Sequence, residues 1–300
     1  MSHELKTGGD RGYLRIATEE AFATREQIDC YLRMVKDGSA DKGVTSLWGF
    51  YARSPSERAN DYLAIQVAAR ADRYIGMTTL APQDPEWSAR EILRGARELG
   101  FKGVQINSHT QGQYLDHPRF DPIFRALADT GQPLYIHPAT PPDSMIAPML
   151  EAGLDGAIFG FGVETGLHLL RLITSGIFDR YPQLQIMVGH MGEALPFWVY
   201  RLDYMHQASV RSQRYAFMKP LQKTILEYLR SNVLITTSGM AWAPAILFTQ
   251  QVVGEDRVMY AMDYPYQFHA DEVRTHDNLD IPLATRKKLM QTNAERWFRL

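Results

Sequence analysis

The chain has 300 residues, of which 45% are hydrophobic and 22% are charged. A chain of this size can bury a large core, in one α/β barrel or in two smaller domains. The 32 basic and 34 acidic side chains give a net charge of −2, which excludes the strongly basic surface that binds nucleic acids or anionic membranes. The single cysteine, Cys30, excludes an internal disulfide framework and a cysteine-rich metal site.

The first ten residues are polar and lack the apolar core of a signal peptide. No apolar run approaches the ~20 residues that are needed to span a bilayer. We therefore expect a soluble, cytoplasmic protein.

Seven short apolar runs alternate with longer stretches that have helical periodicity. None of the runs alternates cleanly between polar and apolar residues, which indicates strands buried on both faces, as in a parallel sheet covered by helices. The predicted strands are residues 14–18, 74–80, 103–107, 133–137, 184–190, 232–237 and 257–263.

The intervening stretches carry helix signals. Gly100, Gly176 and Gly254 follow apolar-periodic segments, as glycines do at helix carboxyl ends. Pro122 stands in the first helical turn, where proline is favoured. The predicted helices are residues 85–99, 121–127, 163–175, 220–229 and 242–253.

Alternating strands and helices are typical of a (β/α)8 barrel or of a doubly wound sheet. The Gly-x-Gly-x-x-Gly motif of dinucleotide-binding sheets does not follow the first predicted strand. Polar and ionisable residues follow nearly every strand instead, and in a barrel all these strand ends meet at one mouth, where the active site is built. We therefore predict an α/β fold, a single TIM barrel over residues 1–300. The strand-end residues are Glu19, Asn107, His137, His190, Ser238 and Asp263.

Two carboxylates and two imidazoles among these residues, Glu19, His137, His190 and Asp263, predict a divalent metal site. Oxygen and nitrogen ligands suit Mn²⁺, Zn²⁺ or Fe²⁺. Structural interpretations remain beside this one. His137 could be a buried histidine bonded to a backbone carbonyl, Asp263 could cap a turn, and Glu20 could replace Glu19, because adjacent strand residues point to opposite faces.

With these motifs in place, the chain resembles the metal-dependent aromatic acid decarboxylases of the amidohydrolase superfamily, which include the γ-resorcylate, aminocarboxymuconate semialdehyde and carboxyvanillate decarboxylases. The resemblance covers nearly the whole chain and implies a (β/α)8 barrel. The motifs that carry it are Ile16-Ala17-Thr18-Glu19-Glu20-Ala21-Phe22, Ser54-Pro55-Ser56-Glu57-Arg58, Ile136-His137-Pro138, Val188-Gly189-His190-Met191-Gly192-Glu193 and Ala261-Met262-Asp263-Tyr264-Pro265.

The resemblance implies that Glu19, His137 and Asp263 are the metal ligands. It implies that His190 lies next to the metal site and that Glu193 orients this histidine. Asp263 is the first candidate for the catalytic proton transfer, and the His190–Glu193 pair is the second.

The resemblance further implies that Arg58 binds the substrate carboxylate or phenol oxygen, and that Tyr266 and Arg201 line the substrate pocket. Many relatives have a histidine two residues after the first ligand, where this chain has Ala21, as the carboxyvanillate enzymes do.

This chain departs from the family pattern between Arg58 and Arg73. The family carries a helix and the second of its eight barrel strands there. These roughly fifty residues are missing from this sequence. We therefore expect a barrel that lacks its second βα unit and exposes a strand edge.

The implied function is the non-oxidative decarboxylation of a hydroxylated or methoxylated aromatic acid such as 5-carboxyvanillate. The implied cofactor is Mn²⁺, with Zn²⁺ as the alternative, and we expect a homo-oligomer with no nucleic-acid or membrane partner. Two other hypotheses stay open at this point. They are a metal-dependent hydrolase or hydratase acting on lactones or amides, and a barrel that has lost catalysis along with its second unit.

Overall fold

The computed structural model describes residues 11–18, 29, 53–267 and 269–300. Glu19, Glu20, Ala21 and Cys30 lie outside the described residues, and so the sequence predictions for them are not tested by the structure.

Parallel strands and helices alternate through the described chain. The strands are β1 (Met77–Thr79), β2 (Gly103–Asn107), β3 (Leu134–His137), β4 (Ile186–Val188), β5 (Val233–Thr236) and β6 (Val258–Met259). The helices are α1 (Arg53–Ala69), α2 (Pro85–Arg97), α3 (Asp121–Thr130), α4 (Asp143–Leu150), α5 (Gly160–Thr174), α6 (Ile177–Arg180), α7 (Leu195–Arg211), α8 (Ile225–Ser231), α9 (Ala243–Val253), α10 (Ala270–Asp277), α11 (Leu283–Lys287) and α12 (Asn293–Phe298). In the part of the chain that is described, none of these helices is both long and apolar enough to cross a membrane.

The six strands form one sheet in their chain order, and every neighbouring pair is parallel. This arrangement brings the carboxyl ends of all six strands to the same edge of the sheet. The predicted parallel α/β architecture is confirmed, and six of the seven predicted strands contain an observed strand.

Both faces of the sheet are buried, as the apolar runs predicted. On the outer face, side chains such as Ile136 and Ile186 pack with the helices in the larger core cluster. On the inner face, Tyr135 and Met187 pack with Phe298 of α12 in a smaller cluster. His137 is two residues after Tyr135, and strand alternation therefore directs it to the inner face as well.

Local signals set the helix ends. Asp84 accepts a hydrogen bond from the Trp87 amide (3.0 Å) at the start of α2. The helix predicted to begin at residue 220 begins at Ile225 instead. Thr224 and Glu227 form a reciprocal capping box that fixes this start.

Residues 14–18, predicted as the first strand, do not form one in the structure. The Thr18 amide donates to the Tyr260 carbonyl (3.1 Å) just beyond β6, but the Ile16 amide donates to Met290 (2.9 Å). Met290 belongs to a π-helical turn, Lys288–Thr292. The segment therefore runs beside β6 without continuous strand pairing.

The edge of β1 shows the consequence of the missing second unit. Among the described strands, β1 pairs only with β2. On its other side, Asn60 of α1 accepts a hydrogen bond from the Thr79 amide (2.9 Å) and donates one to the Thr79 carbonyl (3.0 Å). The Asn60 amide is 1% exposed and also donates to Glu91 (2.8 Å). One side chain thus supplies the two hydrogen bonds that a neighbouring strand would otherwise make.

We predict that Asn60→Ala lowers the free energy of unfolding by about 2–3 kcal/mol, because it leaves two backbone groups of β1 without their partners. Urea denaturation measures this change. Asn278→Ala, at an exposed residue that follows α10, is the matched control and is expected to change stability by less than about 0.5 kcal/mol. Equal effects of the two substitutions would show that Asn60 does not stabilise the edge.

Candidate active site

Three of the predicted site residues lie at or just beyond the carboxyl ends of strands. His137 is the last residue of β3, His190 follows β4 by two residues, and Asp263 follows β6 by four. The parallel sheet therefore directs these three side chains toward the same edge.

His137 is held in one tautomer. Its side chain is 9% exposed, and its Nδ1 lies 2.9 Å from the Pro138 carbonyl oxygen. A carbonyl oxygen only accepts hydrogen bonds, and so Nδ1 carries the proton and the lone pair is on Nε2. A backbone carbonyl that fixes the ring in this way is typical of metal-binding histidines. The structural interpretation of His137, a buried ring bonded to a backbone carbonyl, is therefore compatible with a role as a metal ligand.

The turn after β4 is left-handed over five consecutive residues. The φ angles are 47° for His190, 58° for Met191, 75° for Gly192, 52° for Glu193 and 61° for Ala194. This conformation costs roughly 1 kcal/mol or more for each residue other than glycine. Such strain is concentrated at functional sites, where it aims side chains that a regular helix would point elsewhere.

The turn brings His190 and Glu193 together. His190 Nδ1 lies 2.7 Å from Glu193 Oε1, and the two side chains are 26% and 3% exposed. The carboxylate accepts the Nδ1 proton and fixes the orientation of the ring. The Glu193 contact that the resemblance implies is therefore present, while its catalytic role stays a prediction.

Two glycines of α5 make room for Glu193. A methyl group added at Gly162 would stand 2.9 Å from Glu193 Oε2, and one added at Gly166 would stand 3.3 Å from Glu193 Cβ. The absence of side chains at these positions lets the carboxylate sit against the helix. Neither glycine was predicted as a site residue from the sequence, although their spacing of four residues places them on one helix face.

His190 and Asp263 approach the same residue, Gly239, which follows β5. A methyl group added there would stand 3.3 Å from His190 Cδ2 and 3.7 Å from Asp263 Oδ2. The amides of Tyr266 and Gln267 donate to the backbone carbonyl of Asp263 (2.8 and 2.9 Å). This backbone carbonyl closes the turn, and the Asp263 side chain is not needed as the cap.

The three predicted substrate-binding residues are on different elements. Arg58 is exposed on α1, Arg201 is exposed on α7, and Tyr266 is 49% exposed in the turn after Asp263. Tyr266 is joined to Asp263 by the backbone hydrogen bond described above. Their roles stay predictions.

No group of three His, Cys, Asp or Glu side chains within the described residues is assembled as a metal site. Glu19, the third predicted ligand, is outside those residues. The donors that are described fit a divalent cation, because His137 offers a neutral imidazole with an oriented ring and Asp263 offers a carboxylate. The metal-ligand role of His137 and Asp263 stays a prediction.

The sequence and the fold assign the chain to a known class of proteins. Residues 35–300 match the amidohydrolase family model. The chain belongs to the amidohydrolase family, and its parallel α/β sheet is the barrel of that family without the second βα unit.

Three relatives show which branch of the family is similar to this chain. The γ-resorcylate decarboxylase of a Polaromonas species is 35% identical, over 83% of this chain and 77% of the relative. The crystal structure of 5-carboxyvanillate decarboxylase from Novosphingobium aromaticivorans, with manganese and 4-hydroxy-3-methoxy-5-nitrobenzoic acid, is 64% identical, covers 100% of both chains and has a TM-score of 0.96. The 5-carboxyvanillate decarboxylase of Sphingomonas paucimobilis is 34% identical, covers 96% of this chain and 99% of the relative, and has a TM-score of 0.86.

Proposed function

We propose that this chain is a metal-dependent carboxy-lyase that removes CO2 from a hydroxylated, methoxylated aromatic acid such as 5-carboxyvanillate. The observation that carries the proposal is the convergence of His190 and Asp263 on Gly239, in a chain 64% identical to a carboxyvanillate decarboxylase. Glu193 holds His190 in place at this point. The same constellation serves hydrolysis in principle, and the similarity to decarboxylases favours loss of CO2.

The analogue bound to the Novosphingobium enzyme supports the substrate class. Its nitro group is planar like a carboxylate, stands beside the phenolic oxygen and cannot leave as CO2. The corresponding substrate has a carboxylate next to a phenol, with a methoxy group on the other side of the phenol. Such a molecule offers two adjacent oxygens for recognition.

Glu19, His137 and Asp263 would hold the metal, which we propose to be Mn²⁺, with Zn²⁺ as the alternative. Manganese in the related structures supports this assignment. When bound, the metal supplies positive charge that draws electron density from the substrate oxygens. Arg58, Tyr266 and Arg201 are proposed to bind the substrate.

The proton transfer is assigned to this chain's own residues. Asp263, in its protonated form, donates a proton to the ring carbon that bears the carboxylate. The bond between that carbon and the carboxylate then breaks, its electron pair returns to the ring, CO2 leaves and aromaticity is restored. His190, oriented by Glu193, is the second candidate for the donor.

We predict that Asp263→Asn retains Mn²⁺ and binds the nitro analogue but decarboxylates 5-carboxyvanillate at least ~10²-fold more slowly, because an amide has no acidic proton to donate. In deuterated solvent, the product of the unmodified chain should carry one deuterium at the ring position that lost its carboxylate. Metal analysis, analogue titration and CO2 release measure these effects.

Asp256→Asn, an exposed aspartate just before β6, is the control and should retain full turnover. If Asp263→Asn turns over within a few-fold of the unmodified chain, the role of proton donor would pass to His190. Hydrolysis of lactones or amides with no CO2 release from hydroxybenzoates would instead support the hydrolase hypothesis. A chain that binds metal but acts on neither class would contradict both.

An exposed aromatic face supports assembly with a second copy of the chain. The side chains of Phe197, Trp198 and Tyr200 on α7 are 74%, 57% and 83% exposed, and Phe197 lies 6.0 Å from Phe248 of α9 between ring centroids. Monomeric proteins rarely expose a contiguous apolar patch of this kind. We propose that two copies of the chain pair through this face, from which Arg201 also emerges.

We predict that Tyr200→Asp dissociates the oligomer, because pairing would bury the new charge in an apolar interface. Light scattering after size exclusion measures the mass of both proteins. Leu283→Asp, at a 55% exposed residue on α11, is the matched control and should leave the mass unchanged. A monomeric unmodified chain, or an oligomeric Tyr200→Asp variant, would contradict the assignment.

A further inference from the structure

A network of buried polar groups lies next to the candidate site, at the carboxyl end of β2. Ser108, Glu164 and His168 are all 0% exposed. Ser108 Oγ lies 2.7 Å from Glu164 Oε1 and 2.9 Å from His168 Nδ1. The proposed reaction does not use any of these three residues.

The hydrogen bonds among Ser108, Glu164 and His168 have a fixed direction. The Leu115 amide donates to His168 Nε2 (3.1 Å), and so the proton of the neutral imidazole is on Nδ1. His168 Nδ1 therefore donates to Ser108 Oγ, and Ser108 donates to Glu164. This direction excludes a nucleophilic Ser–His–Glu triad, because in such a triad the histidine accepts the serine proton.

This polar network contacts the candidate site at two points. The Ser108 amide donates to the carbonyl of His137 (2.9 Å), so the residue that holds Glu164 also holds the end of β3. Glu164 is on α5, the helix whose Gly162 packs against Glu193. The negative charge of Glu193 acts on Glu164.

Burial raises the pKa of Glu164 to about 8, and the charge of Glu193 acts in the same direction, while side-chain hydrogen bonds from Ser108, Tyr114 and Thr165 lower it. The other titratable groups that face Glu164 are Tyr114 and His168. Burial raises the pKa of Tyr114 and lowers the pKa of His168 to about 3, so both are uncharged near neutral pH.

We propose that Glu164 is a positioning residue for the decarboxylation: as an uncharged acid it anchors Ser108 below His137 and adds no second negative charge beside the His190–Glu193 pair. The inference rests on the proposed function. Its consequence is that ionisation of Glu164 in alkaline solution weakens catalysis without removing any group that touches the substrate.

The test compares Glu164→Gln with the unmodified chain, because glutamine keeps the shape of the protonated acid and cannot ionise. With 5-carboxyvanillate and Mn²⁺, the ratio of kcat values, variant to unmodified, should stay within about twofold of one at pH 6–7 and rise at least ~fivefold between pH 7 and 9. Glu91→Gln, at a buried glutamate paired with Arg94 on α2, should give a flat ratio.

Thermal unfolding provides a second measurement that needs no substrate. A folded-state pKa of about 8, above the ordinary 4.5, gives stability that is complete below pH 4.5 and is lost as the pH rises through 8. The glutamine variant does not lose this stability, because glutamine does not ionise. The Tm of Glu164→Gln minus that of the unmodified chain should therefore increase by at least about 3 °C between pH 5 and pH 8.

Ser108→Ala provides an independent variant should Glu164→Gln fail to fold. Removing the hydroxyl deprives the ionised Glu164 of a donor, so the alkaline loss of kcat should move to higher pH. If the proteins are active, a kcat ratio that does not change with pH, together with an unchanged alkaline fall of kcat in Ser108→Ala, would overturn this inference. The proposed function would not be affected. Absence of CO2 release from every aromatic acid at all pH values would overturn the proposed function and this inference with it.

Discussion

The parallel pairing of the strands in chain order positions every residue of the candidate site. Because β1 to β6 are neighbours in sequence and in space, each strand delivers the residues that follow it to the same edge of the sheet. His137, His190 and Asp263 are far apart along the chain and lie at this one edge only for this reason. Burial on both faces fixes the strands, and the site therefore has a rigid base.

The sheet tolerates the shortened second unit because other groups satisfy its exposed edge. The Asn60 side chain bonds both backbone groups of Thr79, and residues 14–18 run beside β6 on the opposite side of the sheet. At the amino ends of the strands, Phe298 of α12 packs with the inner-face side chains.

Much of the fold could be predicted from the sequence, because buried parallel strands are continuous apolar runs and helices end at glycines such as Gly254. The strand ends then indicated His137, His190 and Asp263 directly. Residues 14–18 were predicted wrongly, because an apolar run does not reveal that its partner is a helical turn. Gly239 and Gly162 were missed, since their importance lies in side chains that approach them from distant elements. The same holds for Glu164, which reads as an ordinary helix residue until its burial is known.

We propose that a barrel without its second βα unit still assembles a metal-dependent site from its strand ends. Equilibrium dialysis against Mn²⁺, performed on the unmodified chain and on His137→Ala, shows whether this site forms. We expect about one Mn²⁺ for each unmodified chain and an affinity at least ~10²-fold lower for His137→Ala, because the variant loses an oriented ligand. Stoichiometric Mn²⁺ in His137→Ala, or less than about a tenth of an equivalent in the unmodified chain, would contradict it.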